Sequence, residues 1–119
     1  MSNSSTQAIP IGEVNTPYGR YTILVTRYAS GDAIAILLQD SDGEANAVFS
    51  VNLVSYGALL DPDCFHVKTW SENEPLVKPM LETGLFETTS AFASTGYCVA
   101  PVWRLRNPSM VPMRRSQTH

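Results

Sequence analysis

An α+β fold is the class this sequence predicts, on three observations. Between Arg20 and Leu105 apolar residues recur in short alternating runs, which is the period of strands. Gly- and Asp-containing segments of turn composition separate those runs. One helix-start pattern, Ser71-Glu72-Asn73-Glu74, interrupts them. The expected architecture is an antiparallel sheet of five or six strands with one helix packed on it.

The elements follow in order. Residues 1–17 carry Pro10, Gly12, Asn15 and Pro17 and read as a flexible N-terminal segment. Arg20–Tyr28 is the first expected strand, with Tyr21, Ile23 and Val25 on one face and Thr22, Thr26 and Tyr28 on the other. After a turn at Ser30-Gly31-Asp32, Ala33–Gln39 is apolar on both faces and suits a central strand. Asp40-Ser41-Asp42-Gly43 turns the chain into Asn46–Leu53, where Ala47, Phe49, Val51 and Leu53 alternate with Val48, Ser50 and Asn52. These three strands predict a meander.

Ser55–Leu60 reads as a loop or short helical turn. Cys64–Trp70 resumes alternation, placing Phe65 and Val67 opposite a solvent-facing His66 and Lys68. Ser71 and Glu74 match a capping box that opens a helix over Glu72–Thr83, with Gly84 as its stop. Pro75 and Pro79 predict a kink or two short pieces, because an interior proline removes a hydrogen bond. Leu85–Thr89 and Tyr97–Leu105 read as strands, and Pro101 places the latter at a sheet edge or a bulge. Residues 18–106 form the single expected domain, and 107–119 a flexible basic tail.

Composition narrows the function classes. The 119 residues carry eleven acidic and eight basic side chains, a net charge of −3. That balance argues against broad phosphate-backbone binding, which needs clustered Lys and Arg. From Arg104 onward the chain has Arg106, Arg114 and Arg115 and no acid, so a nucleic-acid-binding accessory domain is one alternative. The N-terminus lacks a charged n-region and an apolar h-region. The uncharged stretches Ala45–Leu60 and Thr88–Trp103 are shorter than a membrane span of about 18 apolar residues. A soluble cytoplasmic protein with no membrane partner is expected.

Candidate chemistry is sparse. Asp40–Glu44 starts like a calcium loop but runs into a strand, so it reads as a turn. Cys64 and His66 share a strand face about 7 Å apart, and a small enzyme using either is the second alternative. No elbow motif flanks them. Cys64, His66 and Cys98 lack the paired spacing of a zinc site, and Gly43, Gly57, Gly84 and Gly96 are isolated, so no metal, phosphate loop or cofactor is expected. Both cysteines are expected as free thiols. Trp70, Tyr56, Phe86, Tyr97 and Trp103 are more aromatics than so small a core places with ease, and aromatics are enriched at interfaces. The leading expectation is non-catalytic protein binding, with Asp40, Asp42, Glu44, Glu72 and Glu74 meeting a basic partner. A homodimer is compatible with this reading.

Three motifs, Tyr18-Gly-Arg-Tyr-Thr, Val67-Lys-Thr-Trp-Ser-Glu-Asn-Glu and Ala100-Pro-Val-Trp-Arg-Leu, make Tyr18–Leu105 resemble small proteins carried by bacterial phages and plasmids. The motifs bring no assigned chemistry with them. The resemblance implies an accessory protein of a mobile genetic element. Such elements often encode small inhibitors of host defence, including anti-CRISPR proteins that bind a bacterial defence complex.

Overall fold

A computed structural model describes residues 8–28, 33–43, 45–53, 61–94 and 97–112. Strands dominate, with one α-helix, so the chain is α+β. The strands are β1 (Ile9–Thr16), β2 (Gly19–Arg27), β3 (Ile34–Gln39), β4 (Ala45–Val48), β5 (Ser50–Val51), β6 (Cys64–Val67), β7 (Phe86–Ser94) and β8 (Val99–Leu105). They form two four-stranded antiparallel sheets, ordered β1-β2-β3-β4 and β5-β6-β8-β7, in place of the single sheet of five or six strands expected. The expected strand Asn46–Leu53 is the point of departure: it breaks at Phe49 and changes sheets. The expected turn at 30–32 and the segment 55–60 lie outside the described residues.

One core fills the space between the sheets. Ile23, Val25, Ile36 and Leu38 come from the first sheet; Phe65, Val67, Phe86, Trp103 and Leu105 come from the second. Phe49 and Trp103 pack with ring centroids 5.3 Å apart, and Phe86 lies 5.9 Å from Trp103 and 5.6 Å from Phe65. These tilted and edge-on contacts suit the ring quadrupoles. Burying each such ring contributes roughly 1.5–3 kcal/mol.

Both ends are more ordered than expected. Residues 9–16 are not a flexible lead-in but β1, paired with β2 from Ile9↔Val25 to Thr16↔Gly19. Pro10 is tolerated because β1 is an edge strand and its register shifts between Pro10 and Gly12. Gly12 lets Leu85 pack close: a Cβ there would meet Leu85 Cδ1 at 2.8 Å and displace that side chain. At the other end, Asn107 caps a 3-10 turn over Pro108–Met110, accepting from Ser109 N–H at 3.0 Å. Val111 then packs against the core. Buried Arg27 donates to the Pro112 carbonyl from Nη2 (2.8 Å) and Nε (3.1 Å), and to the Pro62 carbonyl at 3.1 Å. The expected tail over 107–119 is therefore docked through 112; Arg114 and Arg115 lie outside the described residues.

The helix comes in two pieces, as the prolines require. A 3-10 turn over Ser71–Leu76 leads into α1 (Val77–Glu82). Pro79 is the third residue of α1, where an N–H would have no intrahelical partner. Gly84, at φ 79°, stops the chain and bonds the Leu81 carbonyl. The capping box is not formed: Trp70 holds the N-cap position and Ser71 itself sits at φ 58°, with no side-chain capping bond. Once Ser71 is the first residue of the turn, its hydroxyl no longer faces the amides it was expected to cap. α1 lies beside β1 and β7, with Leu76, Val77, Met80 and Leu81 against the core.

Phe49→Ala is expected to cost about 3–5 kcal/mol, because it leaves a cavity against Trp103 in the fully buried core. Chemical denaturation reads that loss directly. Ser71→Ala is expected to stay within about 0.5 kcal/mol of the parent, where a true N-cap would lose about 1 kcal/mol.

Candidate functional site

The fold gathers a cleft of about 330 Å³ lined by Tyr18, Tyr21, Ala47, Glu72, Asn73 and Leu76. Tyr18 stands on the β1–β2 turn, fixed by Thr16: Tyr18 N–H donates to Thr16 Oγ1, whose own hydroxyl donates to the Gly19 carbonyl. Tyr18 Oη donates to the Glu72 carbonyl at 3.0 Å and ties that turn to the 71–76 turn. Asn73 has no solvent exposure, and its Nδ2 donates to the Val48 carbonyl at 2.8 Å. Its Oδ1 is buried without a hydrogen-bond partner. An unmet buried acceptor costs roughly 1–3 kcal/mol, so it calls for a reason.

Of the expected acidic residues, Glu72 lines this cleft. The β1–β2 and β3–β4 turns are at the same end of the first sheet, since Thr16 pairs with Gly19 and Gln39 with both Thr22 and Ala45. Asp40 and Asp42 are in the second of those turns, where Asp42 N–H donates to Asp40 Oδ1 and Gly43 N–H to the Asp40 carbonyl. That is an Asx-turn, so Asp40 shapes the loop as well as charging it. Glu72 and Glu74 are exposed on the 71–76 turn that Tyr18 holds to this end. Glu44 lies outside the described residues. Lys68 Nζ bonds Glu72 Oε2 at 3.0 Å, and Arg20 pairs with Glu13. A hydrogen bond from its own backbone N–H, then Lys68, holds the Glu72 carboxyl below its ordinary range.

Cys64 and His66 do not make a nucleophile–base pair. His66 is 4% exposed, not solvent-facing, because both faces of β6 are covered. Burial lowers its pKa and keeps it neutral. Burial first, then the hydrogen bond and charge of Asp63, push the Cys64 thiol up to about 11, which leaves it protonated and weakly nucleophilic. Both cysteines are free thiols. Ligand atoms of Asp61, Asp63 and Cys64 lie within 4.8 Å of one another, a grouping the sequence, from which no metal site was expected, did not suggest. A guanidinium already serves Asp63: Arg104 Nε lies 3.4 Å from Asp63 Oδ2, and Arg104 also reaches Glu87 at 3.5 Å. Arg106 joins Glu87 at 3.9 Å. Two of the four C-terminal arginines thus serve carboxylates of their own chain.

A second feature was not foreseen as a site. Among the expected interfacial aromatics, Phe86 and Trp103 are core, Trp70 is half-buried, and Tyr56 lies outside the described residues. Tyr97 is fully exposed, beside Phe92 (68%) and Val99 (54%) on the β7–β8 arm. β7 is the edge of its sheet, and its register slips between Thr88 and Phe92, opposite Val102 beside Pro101. The signal was in the sequence: no charge occurs from Thr88 to Trp103. Charges usually protect an edge strand; the one charge of β7, Glu87, stands at its start, and the strand from Thr88 onward carries none.

Comparison with protein-family models, curated proteins and solved structures finds no match to this chain. Among the described residues no helix is long and apolar enough to cross a membrane.

Neutral Cys64 and neutral His66 predict stability losses at both ends of the pH range. The Cys64 thiol holds its proton more tightly when folded, so its contribution is full below pH 9.0 and lost as pH rises toward about 11. The His66 imidazole binds a proton less readily when folded, so its contribution is full above pH 6.5 and lost as pH falls below that. Melting curves across pH should show the alkaline loss reduced in Cys64→Ala and the acid loss reduced in His66→Gln.

Proposed function

We propose that the chain is a non-catalytic binding protein whose β7–β8 arm docks on an uncharged, apolar surface of a partner protein. The observation that carries this is the arm itself: Phe92, Tyr97 and Val99 exposed on an edge hairpin without a charge. Exposed apolar side chains on one hairpin mark an interaction site, and the uncharged stretch Thr88–Trp103 asks for a partner surface equally free of charge. The unreactive Cys64 and neutral, buried His66 favour binding over chemistry. The resemblance of Tyr18–Leu105 to small phage- and plasmid-borne proteins makes a bacterial defence complex, CRISPR-Cas included, the first partner class to try. On that reading the protein inhibits by occupying a surface.

Titration against purified candidate complexes tests this. Inhibition is expected to saturate near one chain per complex, and Phe92→Glu is expected to weaken it at least tenfold, about 1.4 kcal/mol, while leaving the melting temperature unchanged. Turnover by a trace of protein would replace binding with catalysis. Unchanged affinity in Phe92→Glu and Tyr97→Glu would remove the arm from the interface. A mass that doubles with concentration and returns to monomer in Phe92→Glu would make a second copy the occupant.

A further inference from the structure

The geometry points to a second recognition site, independent of the arm: the cleft between Tyr18, Tyr21 and Asn73 receives the guanidinium of an arginine carried by another polypeptide. The reasoning starts at Asn73. Its Nδ2 is committed to the Val48 carbonyl, and turning the amide over would set Oδ1 against that carbonyl, acceptor to acceptor. The buried, unpartnered atom is therefore an acceptor, and its ligand must be a donor. The cleft supplies the rest of a cation's requirements. Tyr18 and Tyr21 offer aromatic rings, Ala47 and Leu76 an apolar lining for an alkyl stem, and Glu72 a carboxylate that Lys68 shares; among the described residues no Lys or Arg lines it. Glu74 is on the same turn as Glu72, and Asp40 and Asp42 are on a turn at the same end of the first sheet. Guanidinium, cationic and made entirely of donors, meets these requirements, and its planar face stacks on a tyrosine ring where an ammonium does not.

The volume of about 330 Å³ is at the small end of ligand pockets, enough for one side chain. The outlying carboxylates favour an arginine within a basic segment over a free small molecule, since they attract charge beyond the cleft. Tyr18 is the wall able to give way. Its side chain is 54% exposed and is held by one hydrogen bond, to the Glu72 carbonyl.

Backbone-amide NMR titrations of the full chain test the inference with three probes: a basic pentapeptide with a central arginine, the same peptide with citrulline in its place, and N-acetylarginine N-methylamide. The arginine peptide is expected to give saturable shifts centred on Tyr18, Ala47, Glu72 and Asn73. Citrulline, the same shape without the charge, is expected to bind at least tenfold more weakly, as is the free arginine derivative. Tyr18→Ala, which removes an exposed ring and its single bond to the Glu72 carbonyl, should weaken the peptide about tenfold, and Tyr18→Phe, which keeps the ring, should weaken it less. Asn73→Asp should retain or tighten it if the variant folds. Equal binding of citrulline peptide would overturn the cation; equal binding of the free derivative would overturn the polypeptide source. Shifts confined to Asp40–Gly43, an unaltered affinity in Tyr18→Ala, or no saturation by about 10 mM would overturn the site, leaving Asn73 Oδ1 to bound water.

Discussion

Phe49 belongs to both sheets at once. Its N–H donates to the Ile36 carbonyl in the first sheet at 2.8 Å, and its carbonyl accepts from Lys68 N–H beyond β6 at 2.8 Å. The Ile36 N–H, which a regular ladder would pair with that carbonyl, turns to Ser50 Oγ at 2.9 Å. Ser50 Oγ also bonds Tyr28 Oη at 2.8 Å, and burial raises the Tyr28 pKa. A buried serine thus replaces a missing ladder partner where the strand leaves one sheet for the other. With every backbone group at the crossover satisfied, the chain can bend without orphaning a polar atom. The Phe49 side chain, fully buried, meets Trp103 across the space the bend creates.

The crossover joins the sheets along β4 and β5, and α1 and Leu85 fill between β1 and β7. Leu85 nests against Gly12, so the far side is closed by side chains instead of a ladder; the Leu85 carbonyl, accepting from Arg106 N–H, continues the β7–β8 pairing within the second sheet. β7 therefore keeps a free edge. The arm projects from that edge, beyond the rows where β6 pairs with β8, since the β6 register ends at His66↔Val102. Among the described residues no further strand pairs with β7 on that side, and none of β6 pairs with β8 at Val99, which leaves Phe92 and Val99 exposed.

The two recognition features have opposite chemistry. The arm is apolar and uncharged, whereas the cleft is rimmed by acceptors and carboxylates. Asn73 links the cleft to the crossover, because its amide holds the Val48 carbonyl one residue before Phe49. A conformational response at the cleft would thus be felt at the joint between the sheets. Arg27 plays a comparable tying role elsewhere, joining β2 to Pro62 and Pro112.

The sequence by itself determined the strand periodicity of β2, β3, β6 and β8, the Asp40–Gly43 turn, the split of the helix around its prolines, the stop at Gly84 and the anomaly at Pro101. These are local matters: alternation, fixed proline φ, and glycine's access to positive φ act within a few residues. Tertiary structure decided the rest. Alternation across Asn46–Leu53 is the same for a strand that stays in one sheet and one that changes sheets, because the partner on each side of Phe49 comes from a distant segment. The pairing of β1 and the docking of 107–112 depend on Gly19–Arg27 and on the Arg27 guanidinium, contacts that local composition does not encode. His66 was read as exposed because a polar residue opposite Phe65 suits a one-sided sheet, yet β6 is covered on both faces. The acids Asp40, Asp42, Glu72 and Glu74 were legible as charges, but the cleft that Glu72 and Asn73 line required the β1–β2 turn to reach the 71–76 turn through Tyr18. Long-range contact, not residue type, built it.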